Sequence, residues 1–221
     1  MTMIEHTFAG RKCRLYGSEA PEVLLVQPSA RHENGTLESE VAELAALIDR
    51  PFLLVMIELE DWTIDLMPWP DGNISRDPEA GKHGQETLGF ILNDLLPELE
   101  QRYGALPVIL GGYSLGGLFA LWASCQSSRF IAVAAASPSV WIHGWIPFAK
   151  KSAPLAEAVY LSLGDREEHV KNQAIARVGD NLRAYYELLQ QKRSTLVWEE
   201  GGHFNENAGR LARAFAWCMS H

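Results

Sequence analysis

Gly112-Tyr113-Ser114-Leu115-Gly116 sets a serine between two glycines in the pattern G-x-S-x-G. A serine hydroxyl becomes a nucleophile when a base takes its proton and an acid orients that base. The oxyanion formed on attack then needs hydrogen-bond donors. The surroundings of Ser114 suit this chemistry. Residues 106–110 before it are mostly apolar, as in a buried strand, and residues 115–123 after it read as a buried helix. A serine on such a strand-to-helix turn stands exposed on strained backbone, and glycines on either side let strand and helix approach closely. The free N–H groups and dipole of the helix N-terminus favour an oxyanion there.

The base and the acid must come from elsewhere. Of the seven histidines, His203 follows the last predicted strand (195–198) and precedes the last predicted helix (207–219), and Gly201-Gly202 free the backbone to turn it inward. His6, His32, His83, His143 and His221 lack that placement, and His169 comes before the last strand. The loop Gly164-Asp165-Arg166-Glu167-Glu168-His169-Val170 carries the candidate acids. The spacing G-x-x-D-x-x-V of hydrolase acid loops selects Glu167; Asp165 and Glu168 are the alternatives, and a solvated loop without an acid is a third. The chain order Ser, acid, His is that of α/β-hydrolases. The oxyanion donors would be the N–H of Leu115 and one from Gln27-Pro28-Ser29-Ala30, where Pro28 has no N–H and Ser29 or Ala30 is the candidate.

The elements that must position these groups alternate along the chain. Strand-like segments at 12–16, 23–27, 52–57, 106–110, 131–135, 159–163 and 195–198 are separated by helix-like ones, including 38–48 and a helix over 86–103 disturbed at Pro97. The pattern predicts one α/β domain over residues 1–221, a mostly parallel central sheet with helices on both faces and no lid domain. Residues 60–85 hold Trp62 and Trp69 among prolines without a clear period, and long loops of this kind are often functional. They are expected to wall an open cleft near Ser114. Trp141 and Trp145, within 139–152 where lids are often inserted, are expected to flank the acyl pocket.

Composition narrows the partners. The 221 residues are 47% hydrophobic and 21% charged, with a net charge of −9, which argues against nucleic acid or an anionic membrane as the partner. No apolar run reaches a membrane span, and residues 1–16 lack the apolar core of a signal peptide. Cys13, Cys125 and Cys218 are too scattered for a disulfide framework or zinc site and suit a reducing cytoplasm. No histidine pair has metalloprotease spacing, so neither metal nor cofactor is expected.

Taken together, the motifs resemble the putative-esterase group of α/β-hydrolases, which includes esterase D and the ferric enterobactin esterases. The resemblance covers most of the chain. It rests on Gly111-Gly112-Tyr113-Ser114-Leu115-Gly116-Gly117-Leu118-Phe119-Ala120-Leu121, on Leu161-Ser162-Leu163-Gly164-Asp165-Arg166-Glu167-Glu168, on Gly201-Gly202-His203-Phe204, and on Asp65-Leu66-Met67-Pro68-Trp69. It implies hydrolysis of a small-molecule ester, siderophore-type esters among them, by Ser114 and His203. Some siderophore esterases of this group are taken to use a Ser–His dyad, which keeps the acid open. A peptidase or acyltransferase on the same machinery, and a non-catalytic protein binding a small ligand, are the competing expectations.

Overall fold

The runs of Val, Leu and Ile expected as the central strands, at 23–26, 52–57 and 108–110, are buried on both faces, as a parallel sheet between helices requires. The computed structural model describes residues 3–30 and 34–220. Its strands are β1 (Met3–Phe8), β2 (Arg11–Gly17), β3 (Val23–Ala30), β4 (Phe52–Leu59), β5 (Val108–Tyr113), β6 (Ala132–Ala136), β7 (Ala158–Gly164) and β8 (Arg193–Glu199). They form one eight-stranded sheet in the order β1-β2-β4-β3-β5-β6-β7-β8. From β4 to β8 every pairing is parallel, while β1–β2 and β2–β4 are antiparallel. This is the α/β-hydrolase fold.

Alternate strand residues feed two cores. Leu24, Val26, Leu53 and Val55 face the layer of α3 (Gly84–Phe90), α4 (Leu96–Tyr103), α5 (Leu115–Ser124) and α7 (Val178–Leu188). Leu25, Leu54 and Met56 face α1 (Asn34–Leu47) and α8 (Asn207–Met219), through Leu44 and Phe215. Two short helices, α2 (Trp62–Leu66) and α6 (Trp145–Ala149), lie in the loops above the sheet's carboxyl edge.

Three details differ from the sequence expectation. β1 was not anticipated. It is an exposed edge strand without hydrophobic alternation, joined to β2 by Ala9-Gly10, both at positive φ as a two-residue hairpin turn demands. Residues 60–85 contain α2, whose N-cap Asp61 accepts hydrogen bonds from the Thr63 and Ile64 amides at 2.8 and 3.0 Å. The disturbance at Pro97 takes the form of a π-helical turn, Ile91–Leu95, joining α3 to α4. The Leu96 N–H reaches the Ile91 carbonyl, and Pro97, which has no N–H to donate, follows it in a backbone that stays helical throughout.

Candidate active site

Ser114 follows the last residue of β5 and precedes α5, with φ 56° and ψ −117°, a conformation that costs about 1–3 kcal/mol for a residue with a side chain. Its neighbours hold it there. The Ser114 amide donates to the Ala136 carbonyl at 3.1 Å, and its carbonyl accepts from Leu118 at 3.1 Å and from Ser139 at 3.0 Å. A Cβ on Gly112 would fall on the backbone of Gly116, and one on Gly117 would press on Pro138. The glycine pattern is therefore a packing requirement of the turn.

The Ser114 hydroxyl lies 3.0 Å from His203 Nε2, and His203 Nδ1 lies 2.6 Å from Glu167 Oε2. The loops that carry these side chains are stitched together at the strand ends. The Asp165 amide donates to the Glu199 carbonyl and the Arg166 amide to the Gly201 carbonyl. The Gly201 amide donates to Asp165 Oδ1 at 2.9 Å. Tyr113 donates its hydroxyl to the His203 carbonyl at 2.6 Å, tying the histidine back to β5.

The three carboxylates of the loop thus have three environments. Asp165 binds backbone. Glu168 makes a two-pronged pair with Arg183, at 2.7 and 2.8 Å. Glu167 is 4% exposed and faces His203. Its other oxygen, Oε1, accepts from the Ser137 hydroxyl at 2.7 Å, the Gly164 amide at 2.7 Å and Arg210 Nη1 at 2.9 Å. Burial alone would push the Glu167 carboxyl up; the hydrogen bond and charge of His203, with the Ser137 and Gly164 donors, outweigh it and hold the group below its ordinary value.

Arg210, Ser137 and Ser139 were missed in the sequence. Arg210 is fully buried and also donates to the Glu200 carbonyl at 2.9 Å, so it joins α8 to both loops. The available signal was its position on α8 in line with buried Ala214 and Cys218, on a face otherwise apolar. The Ser139 hydroxyl lies 3.2 Å from that of Ser114.

Leu115 opens α5, so its N–H has no acceptor within the helix. Ser29 is buried near the carboxyl end of β3, which pairs in parallel with β5 from Leu24–Val108 to Val26–Leu110. Both candidate donors therefore come to the same end of the sheet as the nucleophile.

The tryptophans divide. Trp141 lines a cavity of about 240 Å³ that opens at Ser114 and His203. Trp62 and Trp69 are not on its wall. The Trp62 ring lies over Gly116, 3.4 Å from where a Cβ would stand, so it covers the start of α5. Trp69 donates Nε1 to the His143 carbonyl at 2.8 Å and packs on Phe148, which spends its indole on anchoring the loop. Trp145, 1% exposed, packs on Tyr185 in the core, away from the cavity. The histidine hydrogen-bonded to Ser114 is His203 rather than His169 or His143, and His32 and His221 lie outside the described residues.

Burial pushes the Cys13 and Cys218 thiols up to about 12 and Cys125 up to about 11, so all three are protonated near neutral pH. Among the described residues no group of three His, Cys, Asp or Glu is gathered as for a metal ion, and no helix is long and apolar enough to cross a membrane.

Solved structures of like fold include the siderophore hydrolase EstA from Aspergillus nidulans, at TM-score 0.76 and 20% identity over 98% of this chain and 93% of that one. EstB of the same organism, also a siderophore hydrolase, gives 0.71 and 19% over 99% and 94%. The enterobactin esterase FES from Shigella flexneri gives 0.68 and 18%, covering 97% of this chain and 58% of that one. At these identities the likeness shows the fold. Comparison with the curated proteins finds no match. The family model Esterase, described as "Putative esterase", matches residues 19–209, and the chain belongs to that family.

Proposed function

We propose that Ser114, His203 and Glu167 form a triad that hydrolyses a carboxylic ester of a small molecule through an acyl-enzyme. His203 Nε2 takes the Ser114 proton as Oγ attacks the carbonyl carbon. Glu167 keeps the proton of His203 on Nδ1 and stabilises the imidazolium that forms. The amides of Leu115 and Ser29 hold the oxyanion. His203 then passes its proton to the departing alcohol, and water repeats the sequence on the acyl-enzyme. The observation that carries this reading is the unbroken chain Ser114 Oγ–His203 Nε2 at 3.0 Å and His203 Nδ1–Glu167 Oε2 at 2.6 Å. Membership of the esterase family makes the reaction ester hydrolysis. We place this activity in one domain spanning the chain, in the cytoplasm and without nucleic-acid partners, in keeping with unpaired cysteines and a net charge of −9. Siderophore-type esters belong among the test substrates because neighbours named for siderophore hydrolysis share the fold.

Hydrolysis of p-nitrophenyl esters by the wild type and by Ser114→Ala tests the proposal. The variant should lose at least about 10⁴-fold in kcat while melting at a similar temperature. A variant that keeps wild-type turnover overturns the assignment of the nucleophile.

A further inference from the structure

The cavity at Ser114 joins a few polar side chains to an apolar wall. Ser114, Ser137, Ser139, Glu167 and His203 supply its polar lining, while Pro138, Trp141, Val170, Ile175, Val178 and Phe204 form the apolar wall. Among the described residues, Arg166 is the one Lys or Arg on that wall. Its side chain is largely exposed, 3.8 Å from Asp165, which places its charge at the rim. None of the buried polar side-chain atoms that lack a partner among the described residues belongs to the wall.

We propose that this cavity is the acyl pocket, built for a compact, uncharged, apolar acyl group such as a chain of about six carbons or one aromatic ring, with Trp141 and Phe204 setting its size. The inference rests on the esterase reading above. Its direction follows from the sheet order β3-β5-β6. A carbonyl oxygen turned to Leu115 and the end of β3, with the leaving oxygen at His203 Nε2, sends the acyl substituent toward β6, where Ser139 and Trp141 lie. The size follows from the volume: about 240 Å³ is available, and an apolar cavity of roughly 150 Å³ accepts benzene.

Two observations support an apolar occupant. Phe204 is 88% exposed at the cavity mouth, its ring edge-on to His203 at 5.2 Å, an apolar surface that a bound acyl group would cover. The wall is also tied in place. Asn181 donates to the Val140 carbonyl at 2.8 Å, and Asp71 and Trp69 bind the amide and carbonyl of His143 at 2.7 and 2.8 Å, on either side of Trp141 in the chain. A charged or polyhydroxylated acyl group would leave its polar atoms unpaired against this surface and be rejected.

The test is kcat/KM for p-nitrophenyl acetate, butyrate, hexanoate, benzoate and monosuccinate, beside acetate esters of ethanol, butanol and hexanol. The acyl series should rise by about tenfold for each two methylenes up to hexanoate. Benzoate should exceed acetate, monosuccinate should fall below butyrate, and the alcohol series should stay nearly flat. Trp141→Ala and Phe204→Ala, each checked by its melting temperature, should cut the hexanoate-to-acetate ratio by about tenfold. A flat acyl series, a gradient in the alcohol series, monosuccinate as the best substrate, or an unchanged ratio in both variants overturns the acyl pocket while leaving the triad standing. Failure of the wild type to cleave any of these esters sinks the triad reading and the pocket with it.

Discussion

The acid loop, residues 164–172, and the aromatic loop, residues 60–85, both leave the sheet at its carboxyl edge. In the acid loop the polar groups converge on one side chain: the Ser137 hydroxyl, the Gly164 amide and Arg210 all bind Glu167 Oε1, so that Oε2 is free to face His203. In the aromatic loop they diverge onto backbone. Asp71 takes the His143 amide, Trp69 takes the His143 carbonyl, and Asp61 caps a single short helix. One loop aims a carboxylate; the other straps a neighbouring segment. An indole or a carboxylate near a site is therefore read by where its hydrogen bonds go.

The sharpest contrast lies within the acid loop itself. Glu167→Gln should reduce kcat by about 10⁴-fold, because in the proposed triad the acid sets the tautomer of His203 and stabilises its cation, with little change in KM. Asp165→Asn and Glu168→Gln should each stay within about tenfold of wild type, since they touch backbone and Arg183. Steady-state kinetics on one ester ranks the three; a larger loss at Asp165 or Glu168 would reassign the acid, and three small losses would mean a dyad.

Arg210→Met asks whether the convergence on Glu167 needs its cation. Removing one partner of a buried ion pair should cost about 3–5 kcal/mol of stability, measured by urea unfolding. The kcat should fall as well, because Glu167 Oε1 loses a donor that fixes its orientation. An unchanged unfolding midpoint would mean that the pair contributes nothing.

Acid should separate the loops further. Glu167 is held below its ordinary value of 4.5, so its contribution to stability is complete above that value and is lost as pH falls through the depressed one. The stability gap between wild type and Glu167→Gln should therefore be widest above pH 4.5 and narrow on further acidification. A gap that widens in acid would contradict the depressed value.

The smallest effect belongs to the strap. Trp69→Phe removes one indole hydrogen bond and should cost about 0.5–1.5 kcal/mol, with the ranking of ester substrates preserved. A change in that ranking without loss of stability would return Trp69 to the site wall.

What the sequence made legible has a physical pattern. Ser114, Glu167 and His203 are each fixed by short glycine-bearing turns at strand ends, where local spacing determines which way a side chain points. The α8 bounds, 207–219, were legible because apolar periodicity and a preceding glycine turn agreed. Arg210 was not, since its bond to Glu167 spans 43 positions and depends on how α8 rotates against the sheet. The placing of Trp62 and Trp69 off the wall of the cavity at Ser114 was not legible for the same reason: an indole anchoring a loop and an indole lining a pocket have the same local sequence. β1 escaped because an exposed edge strand carries no burial pattern.

The most direct measurement of the central claim is reaction with a fluorophosphonate followed by peptide mapping in the mass spectrometer. A catalytic Ser114 activated by His203 and Glu167 predicts one adduct, on the peptide containing Ser114, with ester hydrolysis lost in proportion and labelling markedly slowed in Glu167→Gln. An adduct on another residue, or full hydrolysis by completely labelled protein, would contradict it.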